Sequence, residues 1–346
     1  MKLSTDMQNN RLFYCLLLMI VTTITAAQGT IERIKVFGKS LEGNLSGDSA
    51  TRDVSVYLPP SYVEGSQNYP VVYMLHGFTD NDSKWFGHEE HWIDLPHLVD
   101  KAIVEGQSKE LIVVMPNAYN RFKGSMYSSS ITIGDWESFI SEDLVHHIDQ
   151  RYRTIPELGS RGLAGHSMGG YGAIRLGMKR PDVFSSIYLL SPCCMDSNVN
   201  PNPGLRRNVA AVQVVDQLEE QPFFVIATLA ASAAWAPNPT KPPFYLDLPF
   251  DGEEDQPAVV AKFHANATLS MLDQYIPNLR RLRAIRFDVG NQDWGINGAT
   301  KRLHDALSKY GIEHNYESYD GDHINGVGKR ISTKLLPFFS KHLDFQ

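Results

Sequence analysis

Arg161-Gly162-Leu163-Ala164-Gly165-His166-Ser167-Met168-Gly169-Gly170-Tyr171-Gly172-Ala173 decides the fold. The residues up to Gly165 predict a short strand over 162–165, and those after Met168 predict a helix over 169–179. Ser167 occupies the sharp turn between them, inside a Gly-x-Ser-x-Gly pattern. A serine held there takes a strained backbone conformation, and only small neighbours fit beside it. The start of the following helix favours negative charge developing nearby. The five-residue pattern alone is weak; the strand before it and the helix after it make Ser167 a candidate nucleophile.

A serine hydroxyl is a poor nucleophile without a histidine in reach, oriented by a carboxylate. On a strand–turn–helix of this kind the chain order is serine, then acid, then histidine. After Ser167, His264 falls in an irregular stretch, His304 and His342 in amphipathic helical segments, and His314 at the start of a strand. His323 stands just past the last strand, in Gly321-Asp322-His323-Ile324-Asn325, and is the candidate base. Asp293, reached from the strand 284–289 through Gly290-Asn291-Gln292, is the candidate acid. Asp288 lies inside that strand, and Asp320 and Asp322 are too near His323 along the chain to orient it. A tetrahedral intermediate also needs N–H donors. Met168, directly after the serine, is one candidate, and Phe78, after the turn His76-Gly77, is the other.

The rest of the chain alternates strands and helices. Apolar runs at 54–58, 71–75, 111–115, 162–165, 187–190, 284–289 and 315–319 read as strands, several of them nearly continuous, as in strands covered on both faces. Amphipathic segments at 91–105, 136–151, 169–179, 269–282, 300–310 and 330–343 read as helices. This alternation predicts an α/β fold: one domain over 28–346 with a mostly parallel central sheet and helices on both faces. Residues 195–265 break the rhythm with Asn-Pro turns, a small-residue segment at 227–236 and a proline-rich run at 236–243. Prolines fix φ and remove donors, so a central strand is excluded there. The stretch is expected to be a lid-like insertion over the carboxyl edge of the sheet, where ligands of open α/β sheets sit.

Taken together these residues resemble the esterase D-like branch of the α/β-hydrolases, which includes S-formylglutathione hydrolases, feruloyl and acetyl-xylan esterases, enterochelin esterases and mycolyltransferases. The resemblance runs through Val56-Tyr57-Leu58-Pro59-Pro60-Ser61-Tyr62, Tyr69-Pro70-Val71-Val72-Tyr73-Met74-Leu75-His76-Gly77, the turn at Ser167 and Gly321-Asp322-His323. It implies the α/β-hydrolase fold, a triad of Ser167, Asp293 and His323, and oxyanion N–H groups from Phe78 and Met168. Ester hydrolysis through an acyl-enzyme follows as the expected reaction, on a small-molecule or carbohydrate-linked ester such as an acetyl or feruloyl ester. An S-formylglutathione-type thioesterase and an acyltransferase are the enzymatic alternatives, and a catalytically dead binding module is the alternative from another class. Trp85, Trp92, Tyr127, Trp136, Trp235 and Trp294 are aromatic-pocket candidates, with Trp85, Tyr127, Trp235 and Trp294 taken as substrate-binding residues; ordinary core packing accounts for them equally well.

Composition sets outer bounds. Of 346 residues 42% are hydrophobic and 21% charged, enough apolar mass for a substantial core. A net charge of -7 without a basic cluster argues against nucleic acid and anionic membrane surfaces as partners. Lys2 and Arg11, the apolar run 12–21 and the small residues that follow predict a secretory signal peptide over 1–27, and hence a secreted or periplasmic protein. Beyond it only Cys193 and Cys194 remain, adjacent, as two buried thiols or a vicinal disulfide. No metal and no cofactor is expected: His88-Glu89-Glu90-His91 lacks metalloprotease spacing and reads as a solvated turn, and Asp80-Asn81-Asp82 is a calcium-loop fragment without the rest. Asn44, Asn81 and Asn266 begin glycosylation sequons.

Overall fold

The computed structural model describes residues 28–196 and 201–345; the expected signal peptide at 1–27 lies outside them. Val71, Tyr73 and Leu75 pack into one core while Val72 and Met74, on the opposite pleat face, pack into a second. A strand that is apolar on both faces must be covered on both. The strands are β1 Thr30–Phe37, β2 Thr51–Leu58, β3 Val71–Leu75, β4 Ile112–Pro116, β5 Arg161–His166, β6 Ser186–Leu190, β7 Ala284–Gly290 and β8 Asn315–Tyr319. They form one sheet in the order β1-β2-β4-β3-β5-β6-β7-β8. β2 pairs antiparallel with both β1 and β4, and all other pairs are parallel.

The principal helices are α1 Leu95–Val104, α2 Leu144–Arg151, α3 Met168–Lys179, α4 Pro203–Ala211, α5 Phe223–Trp235, α6 Pro257–Asn266, α7 Thr268–Leu279, α8 Ile296–Lys309 and α9 Leu336–His342. Apolar residues of α1 and α9 fill the core on one sheet face. Those of α2, α3, α7 and α8 fill the other. This is the α/β architecture expected from the alternation of strands and helices.

Four differences have local causes. β1 was not predicted because, as the mostly exposed edge strand, it carries Glu32, Arg33 and Lys35 instead of an apolar run. α1 begins at Leu95, not 91, because Asp94 caps it by accepting the His97 N–H and Pro96 fits its first turn. The small-residue segment at 227–236 is the body of a buried helix, α5, that packs by its alanines. Asp82 is wholly buried and tied to Arg33 and Ser55, which gives the supposed calcium-loop fragment a structural role.

In a parallel sheet all carboxyl ends face one edge. The turns that leave β3, β5, β7 and β8 there carry Phe78, Ser167, Asp293 and His323, residues spread over 246 positions of the chain.

Candidate active site

Ser167 has φ 55° and ψ -113°, a left-handed conformation that projects its side chain from the turn between β5 and α3. The glycines of the pattern allow close backbone approach. A Cβ on Gly169 would lie 1.9 Å from the Leu75 carbonyl oxygen, and one on Gly165 would lie 2.3 Å from the Gly169 carbonyl. Any side chain at either position would push α3 away from the sheet and open the turn. The Ser167 N–H donates to the Leu190 carbonyl (2.9 Å) and its carbonyl accepts from the Cys193 N–H (3.1 Å), so the strained residue is held from both sides.

The acid and histidine loops are neighbours because β7 and β8 pair in register up to Gly290 and Tyr319. Gln292 N–H donates to the Gly321 carbonyl (2.8 Å) and Asn291 N–H to that of Tyr319 (2.8 Å). This places the Asp293 carboxylate, 5% exposed, 2.8 Å from His323 Nδ1. His323 Nε2 lies 3.0 Å from Ser167 Oγ. With the Ser167 hydroxyl donating to Nε2, the ring proton is on Nδ1 and donates to Asp293, the tautomer a general base requires. The other carboxylates weighed from the sequence have different partners. Asp288 is locked to Arg330 (2.8 Å) and the Tyr188 hydroxyl (2.5 Å), Asp320 accepts from Gln292, and Asp322 accepts from the N–H groups of Ile324 and Asn325.

Phe78 follows a turn fixed at several points. His76 Nδ1–H donates to the Gly77 carbonyl (2.8 Å) while its Nε2 accepts from the Ala118 N–H (2.9 Å), so the imidazole is neutral. Burial accordingly pushes its pKa down. Thr79 N–H donates to the Lys123 carbonyl (3.0 Å), and a Cβ on Gly77 would sit 3.6 Å from that of Ser167. Among the described residues, neither the Phe78 nor the Met168 N–H donates within the chain, which leaves both free for a developing oxyanion.

A groove of about 230 Å³ opens over Ser167 and His323, walled by Gly77, Phe78, Trp92, His166, Phe223 and Ile324. A larger hollow, about 600 Å³, surrounds His146, His147 and Arg161 elsewhere and includes none of the residues above. The four expected substrate-binding aromatics are not in the groove. Trp85 and Tyr127 are completely buried, the first donating to Asp80 (2.9 Å) and the second to the His76 carbonyl (3.2 Å). Trp235 packs edge-on against Tyr171 and Phe263, and Trp294 stands 91% exposed beside Asp293 in the chain. Hydrophobic bulk puts three of them in the core, where an indole or phenol also finds a hydrogen-bond partner. Trp92 does line the groove, and Phe223, at the start of α5 in the insertion, was missed. Its signal was the Phe223-Phe224 pair directly after Pro222, two exposed rings at a helix start.

One smaller expectation also changes, and an alternative left open by the sequence narrows to one. His91 is not in a solvated turn: its Nε2 is 3.1 Å from Asp80 and its ring lies 5.0 Å from that of Trp92. Cys193 and Cys194 stand as two thiols with Sγ atoms 2.7 Å apart; their mutual hydrogen bond and burial push the Cys193 thiol well above its usual pKa.

Residues 49–326 match the family model Esterase, described as "Putative esterase". Among curated proteins, an endo-1,4-beta-xylanase/feruloyl esterase of Xylanibacter ruminicola is 34% identical over 143 residues, 40% of this chain and 19% of that protein. An esterase of Mycobacterium tuberculosis is 33% identical over 135 residues, 38% of this chain and 27% of that protein. The chain thus spans about a fifth to a quarter of the length of these relatives. Among solved structures, a ferulic acid esterase superposes with TM-score 0.64 at 21% identity, covering 92% of this chain and 99% of that one. An S-formylglutathione hydrolase from Staphylococcus aureus superposes with TM-score 0.59 at 15% identity, covering 90% and 99%. The sheet order, the turn that bears Ser167 and the match over most of its length agree: the chain belongs to the esterase family and has the α/β-hydrolase fold.

Proposed function

We propose that this protein hydrolyses a carboxylic ester through an acyl-enzyme on Ser167. One observation carries the reading: Ser167 Oγ, His323 and the buried Asp293 carboxylate stand in a continuous hydrogen-bonded line at the floor of a groove. Ser167 Oγ attacks the ester carbonyl as its proton passes to His323 Nε2, and Asp293 stabilises the imidazolium that forms. The carbonyl oxygen, now negative, accepts from the Phe78 and Met168 N–H groups. His323 returns the proton to the departing alcohol, then takes one from water, which attacks the acyl carbonyl and frees Ser167. No step requires a metal or cofactor.

The acyl group we propose is aromatic and the alcohol carbohydrate-linked. The rings of Phe78, Trp92 and Phe223 at the groove and the names feruloyl and ferulic acid esterase among the relatives support the first, and the xylanase half of one relative's name supports the second. The basic and apolar pattern before residue 28 supports export, which amino-terminal sequencing of the mature protein would check. Among the described residues no helix is long and apolar enough to cross a membrane.

The decisive test is Ser167→Ala assayed with p-nitrophenyl acetate and methyl ferulate. Turnover and the acylation burst should both vanish while the protein keeps its melting temperature; a retained burst would move the nucleophile elsewhere.

A further inference from the structure

His166, the residue before Ser167 in the Gly-x-Ser-x-Gly turn, plays no part in the chemistry described above, yet it is 3% exposed and contacts the histidine loop directly. Its Nε2 lies 2.8 Å from the main-chain carbonyl oxygen of His323. A carbonyl only accepts, so the proton is on Nε2 and this ring donates. Its Nδ1 is buried and has no partner. The ring is enclosed by the rings of His323 (4.8 Å between centroids), Trp92 (5.6 Å) and Trp85 (6.1 Å), and a Cβ on Gly77 would meet its Nδ1 at 3.4 Å. One side chain therefore touches the oxyanion turn, the groove wall and the loop that carries the base, while its own backbone leads into the nucleophile.

From this geometry we infer, on the basis of the esterase reading, that His166 is a positioning residue that ties the His323 main chain to the nucleophile turn. Loop 320–325 reaches the site from the last strand of the sheet, across two intervening strands from β5. Its other backbone anchors run to the acid loop, within itself or to the helix turn that follows: Gln292 to Gly321, Asn291 to Gly321, Asp322 to Asn325, Val327 to Ile324. These fix His323 relative to Asp293. They do not fix it relative to Ser167, whose Oγ must stay within hydrogen-bond reach of Nε2 for proton transfer. The His166 bond supplies that coordinate. It joins the residue before the nucleophile to the backbone of the base, so the distance between the two is set by a rigid ring and not by two separate loops.

The chemistry of the ring suits the task. A lysine or arginine could donate equally well, but its charge would oppose the imidazolium that forms on His323. His166 is held neutral, its pKa pushed down to about 3 by burial and then by the neighbouring His323, against the opposing pull of the hydrogen bond it donates. Asp80, His91 and His323 are the titratable groups whose charges reach it. With Nδ1 unpartnered, Nε2 is the nitrogen through which the ring is hydrogen-bonded.

Two variants separate this role from packing. His166→Phe keeps a ring between Trp85 and Trp92 and removes the donor; His166→Gln restores an N–H at the Nε2 position. Labelling of Ser167 by a fluorophosphonate reads nucleophile competence without reference to the natural ester. His166→Phe should slow labelling and kcat for p-nitrophenyl acetate by about tenfold or more, the rate equivalent of one well-placed hydrogen bond, with KM within about twofold. His166→Gln should recover most of both. The low-field Nδ1–H proton resonance of His323 should broaden or disappear in His166→Phe and return in His166→Gln. If wild-type enzyme fails to label, the esterase reading falls. If wild type labels and His166→Phe labels equally fast, or if His166→Gln is as slow as His166→Phe, the positioning role is overturned.

Discussion

At the scale of single residues, the carboxylate proposed to orient His323 is the sharpest case. Four aspartates lie near His323 in sequence or space, and only Asp293 lies beside its ring nitrogen with no cation competing for it. Being almost completely buried, it cannot be replaced by water once its charge is removed. Asp293→Asn keeps the shape but offers an amide in place of the carboxylate, which favours the wrong imidazole tautomer and leaves the imidazolium unsupported. We expect kcat to fall about a thousandfold or more, as for the corresponding change in other serine hydrolases, with little effect on KM. A rate within tenfold of wild type would assign the orienting role to another group. Chain order and strand ends singled out in the sequence the three side chains that the structure brings into one hydrogen-bonded line, because a strand–turn–helix of this kind admits few arrangements of its partners. His166 was not legible in that way. Its position in the pattern is unrestricted, and only the folded loop reveals what its ring touches.

At the scale of elements, legibility followed burial. The central strands were readable because covering both faces requires unbroken apolar runs, as in Ile112–Pro116 and Ser186–Leu190. β1, a charged edge strand, gave no such run. The aromatic candidates failed for a related reason: sequence cannot separate a tryptophan that lines a groove from one that fills a core, and here the core took Trp85, Tyr127 and Trp235. The insertion contributes Phe223 instead. Its ring meets Phe78 edge-on at 5.6 Å, so the wall of the groove rests against the residue proposed to supply an oxyanion N–H. The segment just before it is fastened to the loop below by Lys123 with Glu219 and by Arg121 with Asp216 (3.0 Å). Lys123 in turn receives the Thr79 N–H, which links insertion and oxyanion turn through one residue. Phe223→Ala should therefore act on substrates large enough to reach the wall. An aromatic contact contributes about 0.5–1.5 kcal/mol, so kcat/KM for methyl ferulate should fall roughly twofold to thirteenfold. The value for p-nitrophenyl acetate, whose acyl group is too small to touch that ring, should change by less than about twofold. Equal losses on the two esters would mean that Phe223 supports the fold of the insertion and does not contact the acyl group.

At the scale of the molecule, the arrangement that assembles the site also sets its tolerance of acid. His76 and His166 are buried neutral in the folded protein, each committed to a tautomer by its hydrogen bonds. Asp80, Asp82 and Arg52 are the charges that reach His76, and Asp80, His91 and His323 those that reach His166. In the unfolded chain both imidazoles titrate near the ordinary value of about 6.5. Below that pH the unfolded state binds protons that the folded state refuses, so stability is lost as pH falls and is regained as it rises. For His166 the window extends from about 6.5 down to its folded pKa of about 3. Within it His166 contributes a slope of about 1.4 kcal/mol per pH unit, and His76 acts in the same direction. Carboxylates with lowered pKa add their own losses in the same direction but at lower pH; Glu317, held by Arg330 at about 2, is one. Between pH 6 and 4.5 the histidines titrate ahead of those carboxylates, and the buried Asp288 carboxyl, whose pKa is raised, is common to both proteins of a comparison made at position 166 alone. Urea unfolding of wild type across that interval should show stability falling steeply. In His166→Gln, whatever its stability at pH 7, the slope should be shallower by one proton, about 1.4 kcal/mol per pH unit, because glutamine has nothing to titrate. Parallel slopes for the two proteins would mean that His166 accepts a proton in the folded state, which its buried, unpartnered Nδ1 and its enclosure between two indoles would then have to accommodate.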